Sequence, residues 1–301
     1  MVIGVFVENT RMVDGAADLD AYIARVQAVA ATGIPSVWSP QIFGFDALTA
    51  LAIVGREVPS VRLGTAVVPT YPRHPMVLAQ SALTTSFACG GRLTLGIGLS
   101  HQVVVEGMWG YSYDQPARHM EEYLSALLPL LRGEAVNVRG AVVTAAGQLQ
   151  VPAATDVPVV VAALGPRMLA LAGSTTAGTV TWMTGPETIG SHIAPLLSQA
   201  ATAAGRDAPR IVCALPVCVT DDPDAARAKA AQTFRNYGFL PSYRAMLDRE
   251  GAAGPADVAI VGNAATVKAA IGQVFEKGAT EFVAVPFDNI EATTATVAEL
   301  V

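Results

Sequence analysis

The sequence predicts an α/β fold, a (β/α)8 TIM barrel with insertions, as one domain over residues 1–301. Three observations predict it. Eight short apolar or β-branched runs alternate with helix-length segments, leaving little chain over, and that rhythm is the mark of parallel strands joined by crossover helices. The composition is 52% hydrophobic and 15% charged, against roughly 25% charged in average proteins. A sheet covered on both faces needs such strands. Finally, the rival doubly wound sheet usually carries a G-x-G-x-x-G turn after its first strand, and Val7–Gly15 has none.

The elements follow in order. Val2–Val7 is the first strand. Leu19, Tyr22, Ile23, Val26, Val29 and Ala30 form a helical stripe that stops at Gly33. Ser36–Ser39 is the second strand, and a helix from Phe45 to Arg56 follows the loop Pro40–Gly44. Arg62–Pro69 and Leu93–Leu99 are the third and fourth strands, and Pro75 opens the helix between them. Pro116 opens a helix with the stripe Tyr123, Leu127, Leu130 and Leu131. The alternation within Glu134–Val157 suggests a hairpin inserted outside the main sheet.

Pro158–Leu164 and Thr179–Met183 are the fifth and sixth strands, followed by helices from Pro166 and Pro186. Arg210–Thr220 is the seventh strand, after which Asp222 caps a long helix. Asn236–Gly262 is read as a second irregular stretch. Asn263 then caps a helix whose apolar face holds Val267, Ile271 and Val274. Glu281–Phe287 is the eighth strand, and the tail is a helix.

Composition excludes several classes. The net charge is −6 with no basic cluster, so nucleic acid is an unlikely partner. No apolar run reaches the roughly 18 residues of a spanning helix, and the start MVIGVFVENTR lacks the basic region of a signal peptide. A cytoplasmic protein without membrane partners is expected. Cys89, Cys213 and Cys218 lack metal-type spacing and read as reduced core residues.

In a barrel the residues past each strand converge on one mouth. Here these are Glu8 and Asn9, Pro40 and Gln41, Pro69–His74, Ser100 and His101, Gly165–Arg167, Thr184 and Gly185, Thr220–Asp222, and Asp288. Only two histidines, His74 and His101, and few carboxylates among these strand ends disfavour a metal site. Gly165-Pro166-Arg167 and Thr184-Gly185-Pro186 each place a helix N-terminus after a strand, where free N–H groups favour an anion such as phosphate. Alternatively, glycine and proline merely punctuate these turns. His101 follows LGIGLS and suits substrate contact or proton transfer. His74 reads as a link between loop and helix, His119 and His192 as surface or packing residues. Trp38 and Trp182 read as core filling, with ring stacking open to Trp182.

The chain resembles the luciferase-like flavin and deazaflavin oxidoreductases. The resemblance rests on Leu63–Pro75, Gly91–Gly98, Pro116–Leu124, Val159–Gly173 with Gly178–Pro186, and Lys277–Phe287. Within that family it is most similar to the branch that uses coenzyme F420. The resemblance implies a non-proline cis peptide at Ala66–Val67 behind the coenzyme ring, with Pro40 beside it. It also implies a phosphate loop at Ala163, Leu164, Gly165, Pro166 and Arg167, flanked by Met183, Thr184 and Gly185. Sugar-phosphate-oxidising members carry Asp-His where this chain has Pro40-Gln41, and glutamate where it has His101, so that activity is not carried over. The expected activity is hydride transfer between F420 and an apolar small molecule, with His101 handling a proton and Glu8 and Gln41 orienting it. An FMN-dependent monooxygenase, a non-catalytic flavin-binding barrel and a non-redox enzyme for a phosphorylated substrate are the alternatives. A homodimer is the family habit.

Overall fold

The computed structural model describes residues 1–9, 18–152 and 156–301. The fold is the predicted (β/α)8 barrel. In chain order the strands are β1 (Val2–Phe6), β2 (Ser36–Ser39), β3 (Arg62–Thr65), β4 (Val68–Pro69), β5 (Leu93–Gly98), β6 (Val136–Arg139), β7 (Thr144–Gly147), β8 (Val159–Val161), β9 (Gly178–Trp182), β10 (Arg210–Val219), β11 (Ile260–Gly262) and β12 (Glu281–Pro286). The α-helices are α1 (Leu19–Ala31), α2 (Ala47–Glu57), α3 (Pro75–Ala88), α4 (Gln102–Gly107), α5 (Pro116–Leu131), α6 (Pro166–Thr175), α7 (Pro186–Thr188), α8 (Ala194–Ala203), α9 (Pro223–Phe234), α10 (Pro241–Glu250), α11 (Ala264–Glu276) and α12 (Ile290–Ala298). A π-helical turn, Ile189–Ile193, joins α7 to α8.

The chain forms two compact units. The first holds Met1–Val7, Arg25–Trp38 and Ala163–Val301. Its parallel strands run in the order β9-β10-β12-β1-β2, with β11 paired to the carboxyl end of β10. Ile3, Val5, Val37, Val212, Leu215 and Phe282 are buried, as continuous apolar strands demand. At the strand starts lies a buried polar knot. The Glu281 carboxylate accepts from Ser36 Oγ at 2.8 Å, Trp38 Nε1 at 2.9 Å and Arg210 Nη2 at 2.8 Å. Trp38 is therefore buried at the strand starts, as the core residue expected.

The second unit holds Glu8–Ala24 and Ser39–Ala162. Here β5 is paired in parallel with β3, β4 and β8. The predicted third strand, Arg62–Pro69, is interrupted between β3 and β4, and the Ala66–Val67 peptide bond at the break is cis. The insertion expected in Glu134–Val157 is the antiparallel hairpin β6–β7. Glu122 of α5 anchors its turn by accepting from the N–H groups of Ala141, Val142 and Val143. Those donors and Arg118 outweigh the upward pull of burial and hold the Glu122 carboxyl near pKa 2.

Two stretches differ from expectation. Asn236–Gly262 is not irregular throughout: it contains α10 and β11, and Gly251 in the left-handed region ends α10. Its helical stripe is short and rich in charge, so periodicity alone hides it. Gln102–Gly107, for which no element is predicted, forms the short α4 with His101 at its N-cap. Among the described residues no helix is long and apolar enough to cross a membrane, and no group of three or more His, Cys, Asp or Glu side chains could hold a metal ion.

Candidate functional site

In the second unit the strand ends are braced by small residues and backbone contacts. Thr65 Oγ1 accepts from the Gly96 N–H and donates to the Gly96 carbonyl, each at 2.8 Å. A Cβ on Gly96 would lie 1.9 Å from the Thr65 carbonyl oxygen, and one on Gly98 would lie 2.7 Å from Val67 Cγ2. The glycines of LGIG thus admit the β3–β4 segment, and this leaves Ala66 and Val67 half-buried beside β5. The Ala66 N–H donates to the Ser39 carbonyl at 2.8 Å, tying the same segment to the end of β2.

Asn9, buried after β1, donates from Nδ2 to the carbonyls of Pro40 (3.0 Å) and Phe45 (2.9 Å). It fixes the loop that carries Pro40 and Gln41. Gln41 is half-buried, and its Oε1 accepts from the Ala47 N–H at 2.7 Å, so that oxygen caps α2 and leaves Nε2 for any other partner. Asp46 caps the same helix through Thr49 and pairs with Arg73. Glu8 is exposed. His101 is half-buried and follows Ser100, which sits in the left-handed region at φ 60°; burial lowers the His101 pKa. Burial thus favours the neutral imidazole, which can donate or accept a hydrogen bond.

Of the two histidines read as surface or packing residues, His119 belongs to this unit and is packed. His119 is buried, with Nε2 3.0 Å from Thr70 Oγ1 and its ring stacked on Tyr71 at 4.0 Å. Burial pulls its pKa down to about 4, against the opposing charge of Glu122. His74 serves as the expected link: Nδ1 accepts from the Met76 N–H and Nε2 donates to the Thr144 carbonyl at 2.8 Å.

In the first unit the loop after β8 is positioned by two side chains. Thr179 Oγ1 accepts from the Ala163 N–H (3.3 Å) and donates to the Ala163 carbonyl (3.2 Å). His192, on the π-helical turn, donates from Nε2 to the Leu164 carbonyl at 2.8 Å. The next residue, Gly165, is the N-cap of α6 and has no side-chain cap; Gly165, Pro166 and Arg167 are exposed. This helix end presents first-turn N–H groups to an anion.

The other helix end is different. After β9, Met183 is in the left-handed region at φ 54° and Thr184 is buried. Beyond Gly185, the N–H groups of Glu187 and Thr188 donate to the Glu250 carboxylate at 3.1 and 2.7 Å. A Cβ on Gly185 would lie 2.3 Å from Glu250. Two free helix ends were expected; the one at Gly185 already holds an anion of the chain's own. Glu250 lies 65 positions beyond Gly185, and no local pattern announces it. Asn9 was legible as a mouth residue but not as the loop's fastener.

Comparison with known proteins places this geometry in a family. The family model for luciferase-like monooxygenase matches residues 1–283. The 5,10-methylenetetrahydromethanopterin reductase of Methanolobus tindarius is 31% identical over 234 residues, covering 77% of this chain and 71% of that protein. The coenzyme F420-dependent tetrahydromethanopterin reductase from Methanopyrus kandleri superposes with a TM-score of 0.83 at 18% identity, over 99% of this chain and 97% of that one. The oxygenating constituent of 3,6-diketocamphane monooxygenase from Pseudomonas putida, in complex with FMN, gives 0.76 at 17% identity, over 99% and 97%. These structural likenesses show the fold, and the family match together with the reductase relative shows the lineage: the chain belongs to the luciferase-like monooxygenase family.

Proposed function

We propose that this protein is an oxidoreductase that transfers a hydride between coenzyme F420 and a small organic substrate. The observation that carries the reading is the uncapped N-terminus of α6 at Gly165, in a chain 31% identical to a methylenetetrahydromethanopterin reductase. A phosphate-bearing coenzyme fits that end: the first-turn N–H groups, Pro166 contributing none, and the helix dipole favour an anion. Ala163–Arg167 hold the phosphate, with Met183, Thr184 and Gly185 lining the next turn. Because Glu250 fills the Gly185 helix end, those three residues act through shape rather than by donating to the phosphate.

Bound F420 supplies a ring carbon that takes up or gives hydride. Ala66 and Val67 support the ring from behind, and Pro40 closes beside it. His101 accepts or returns the proton at the substrate's oxygen or nitrogen, Gln41 orients the substrate through Nε2, and Glu8 sets the charge at the mouth. The reading with FMN as cofactor and O₂ as co-substrate is the second candidate, favoured by the fold's likeness to an FMN-bound monooxygenase.

The test is Gly165→Asp. No atom lies within 4 Å of a Cβ placed there, so the aspartate fits, caps the first turn and repels phosphate. F420 affinity should fall at least tenfold with folding unchanged; undiminished affinity would remove α6 from the coenzyme site. For assembly, we propose a homodimer through α2 and α3, where Ile53, Val77 and Phe87 are exposed at 36, 53 and 47%. Light scattering that returns a monomer mass at micromolar concentration would exclude it.

A further inference from the structure

Five of the chain's aromatic residues gather in one part of the first unit, with Phe239 close by in sequence. Trp182 ends β9, Phe234 ends α9, Tyr237 and Phe239 sit in the 3₁₀ turn Arg235–Phe239, Tyr243 is on α10, and Phe287 follows β12. Aromatic residues make up only 6% of the sequence, so this concentration is not a background of scattered rings. Trp182 lies edge-on to Phe234 and to Tyr237, each at 5.7 Å. Phe234 meets Phe287 at 5.6 Å, and Tyr237 meets Tyr243 at 5.3 Å, both near perpendicular. Edge-to-face pairing at these separations is the favourable geometry for rings.

A packed core would bury all of them, and this cluster does not. Phe234 at the centre is 8% exposed, while Trp182, Tyr237, Tyr243 and Phe287 are only half-buried and Phe239 is 82% exposed. The partly exposed ring atoms at the carboxyl ends of two barrel strands are apolar surface that ligand binding would cover. Two charged pairs beside the rings are committed within the chain, Lys229 to Asp288 at 2.9 Å and Arg244 to Asp248 at 2.8 Å, and Arg235 is exposed. Burial raises the pKa of both Tyr237 and Tyr243, so their phenols stay neutral. The surface on offer is therefore apolar and aromatic, its rings set edge to face and edged by neutral hydroxyls.

We infer that Trp182, Tyr237 and Phe287 form the recognition surface for a flat, uncharged aromatic or heteroaromatic group of the substrate. Trp182 stands immediately before Met183, Thr184 and Gly185, so the ring surface continues the coenzyme loop along the same strand. This deepens the oxidoreductase reading above and rests on it for the word substrate; the ring surface itself does not. Such a surface distinguishes an aromatic ring from a saturated one of equal size, because only the former adds edge-to-face pairing.

The experiment is calorimetric titration of the purified chain with three probes: 2-naphthalenemethanol, its fully saturated decalin analogue, and naphthalene-2-sulfonate. The flat alcohol should bind at least tenfold more tightly than the saturated one, and Tyr237→Leu and Phe287→Leu should each weaken it at least fivefold with unchanged thermal midpoints. Equal binding of flat and saturated alcohols would overturn the inference. So would tighter binding of the sulfonate, which would make exposed Arg235 the determinant instead. F420 titration of the same samples separates the two claims. Naphthyl binding without F420 binding removes the coenzyme reading and leaves the ring surface. F420 binding with no preference for the flat probe removes the ring surface and leaves the coenzyme.

Discussion

Removing the carboxylate of Glu281 should destabilise the first unit through loss of polar partners rather than loss of volume. Glu281 is 3% exposed and accepts three hydrogen bonds. In Glu281→Leu the three donors fare differently. Trp38 Nε1 keeps Ser36 Oγ at 3.0 Å as an acceptor, and Arg210, 33% exposed, turns to water. Ser36 loses its acceptor in a buried place. An unsatisfied buried group costs about 1–3 kcal/mol, and the broken ion pair adds less than the 3–5 kcal/mol of a fully buried one. The total is about 3 kcal/mol, or ~6 °C in thermal midpoint at roughly 2 °C per kcal/mol for a chain this long. Glu281→Gln retains an oxygen for Ser36 and Trp38 and loses the charge facing Arg210, for about 1 kcal/mol. Thermal unfolding followed by near-ultraviolet circular dichroism reads both. A Leu variant within 0.5 kcal/mol of the native chain, or a Gln variant as damaging as Leu, would refute the reasoning.

Three further outcomes are expected. Gly96→Ala should cost more than about 3 kcal/mol, because the new methyl meets backbone 1.9 Å away and β3 must separate from β5; a urea midpoint shift equivalent to less than 1 kcal/mol would contradict it. Asn9→Ala should cost about 2 kcal/mol by stranding two carbonyls, and amide exchange across residues 40–46 should quicken; unchanged exchange would remove Asn9 as the loop's fastener. Acid should weaken the fold in two overlapping steps. His119 is neutral in the folded chain down to about pH 4, so below its unfolded value of 6.5 the unfolded chain takes up a proton first and stability falls from there toward 4. Glu122, held near 2, contributes stability that is present above its unfolded value of 4.5 and is lost as pH falls toward 2. A midpoint that is flat from pH 6.5 to 4 in the native chain, or one whose slope there is undiminished in His119→Asn, would contradict the histidine assignment.

How much of this was legible in the sequence depends on the range of the interaction. Strands such as Val2–Phe6 and Glu281–Pro286 announce themselves because burial on both faces demands continuous apolar runs. Helix starts at Pro75, Asp222 and Asn263 are written in capping chemistry within four residues. The cis bond at Ala66–Val67 came from family resemblance, since no local pattern encodes it. What failed to show was partnership across the chain. Glu250 filling the Gly185 helix end, Asn9 holding Pro40 and Phe45, and His192 holding Leu164 are side chains whose role is set by a neighbour 28 to 63 residues away. His119 illustrates the same limit: one helical position cannot reveal that it faces Thr70 rather than solvent.

The most direct measurement is equilibrium binding of oxidised F420 and of FMN to the purified chain, each followed by quenching of tryptophan fluorescence, with Trp182→Phe as the reporter control. F420 should bind at micromolar concentration and FMN at least a hundredfold more weakly. Tight FMN binding with no measurable F420 binding would contradict the deazaflavin assignment and make the FMN-dependent monooxygenase the function to pursue.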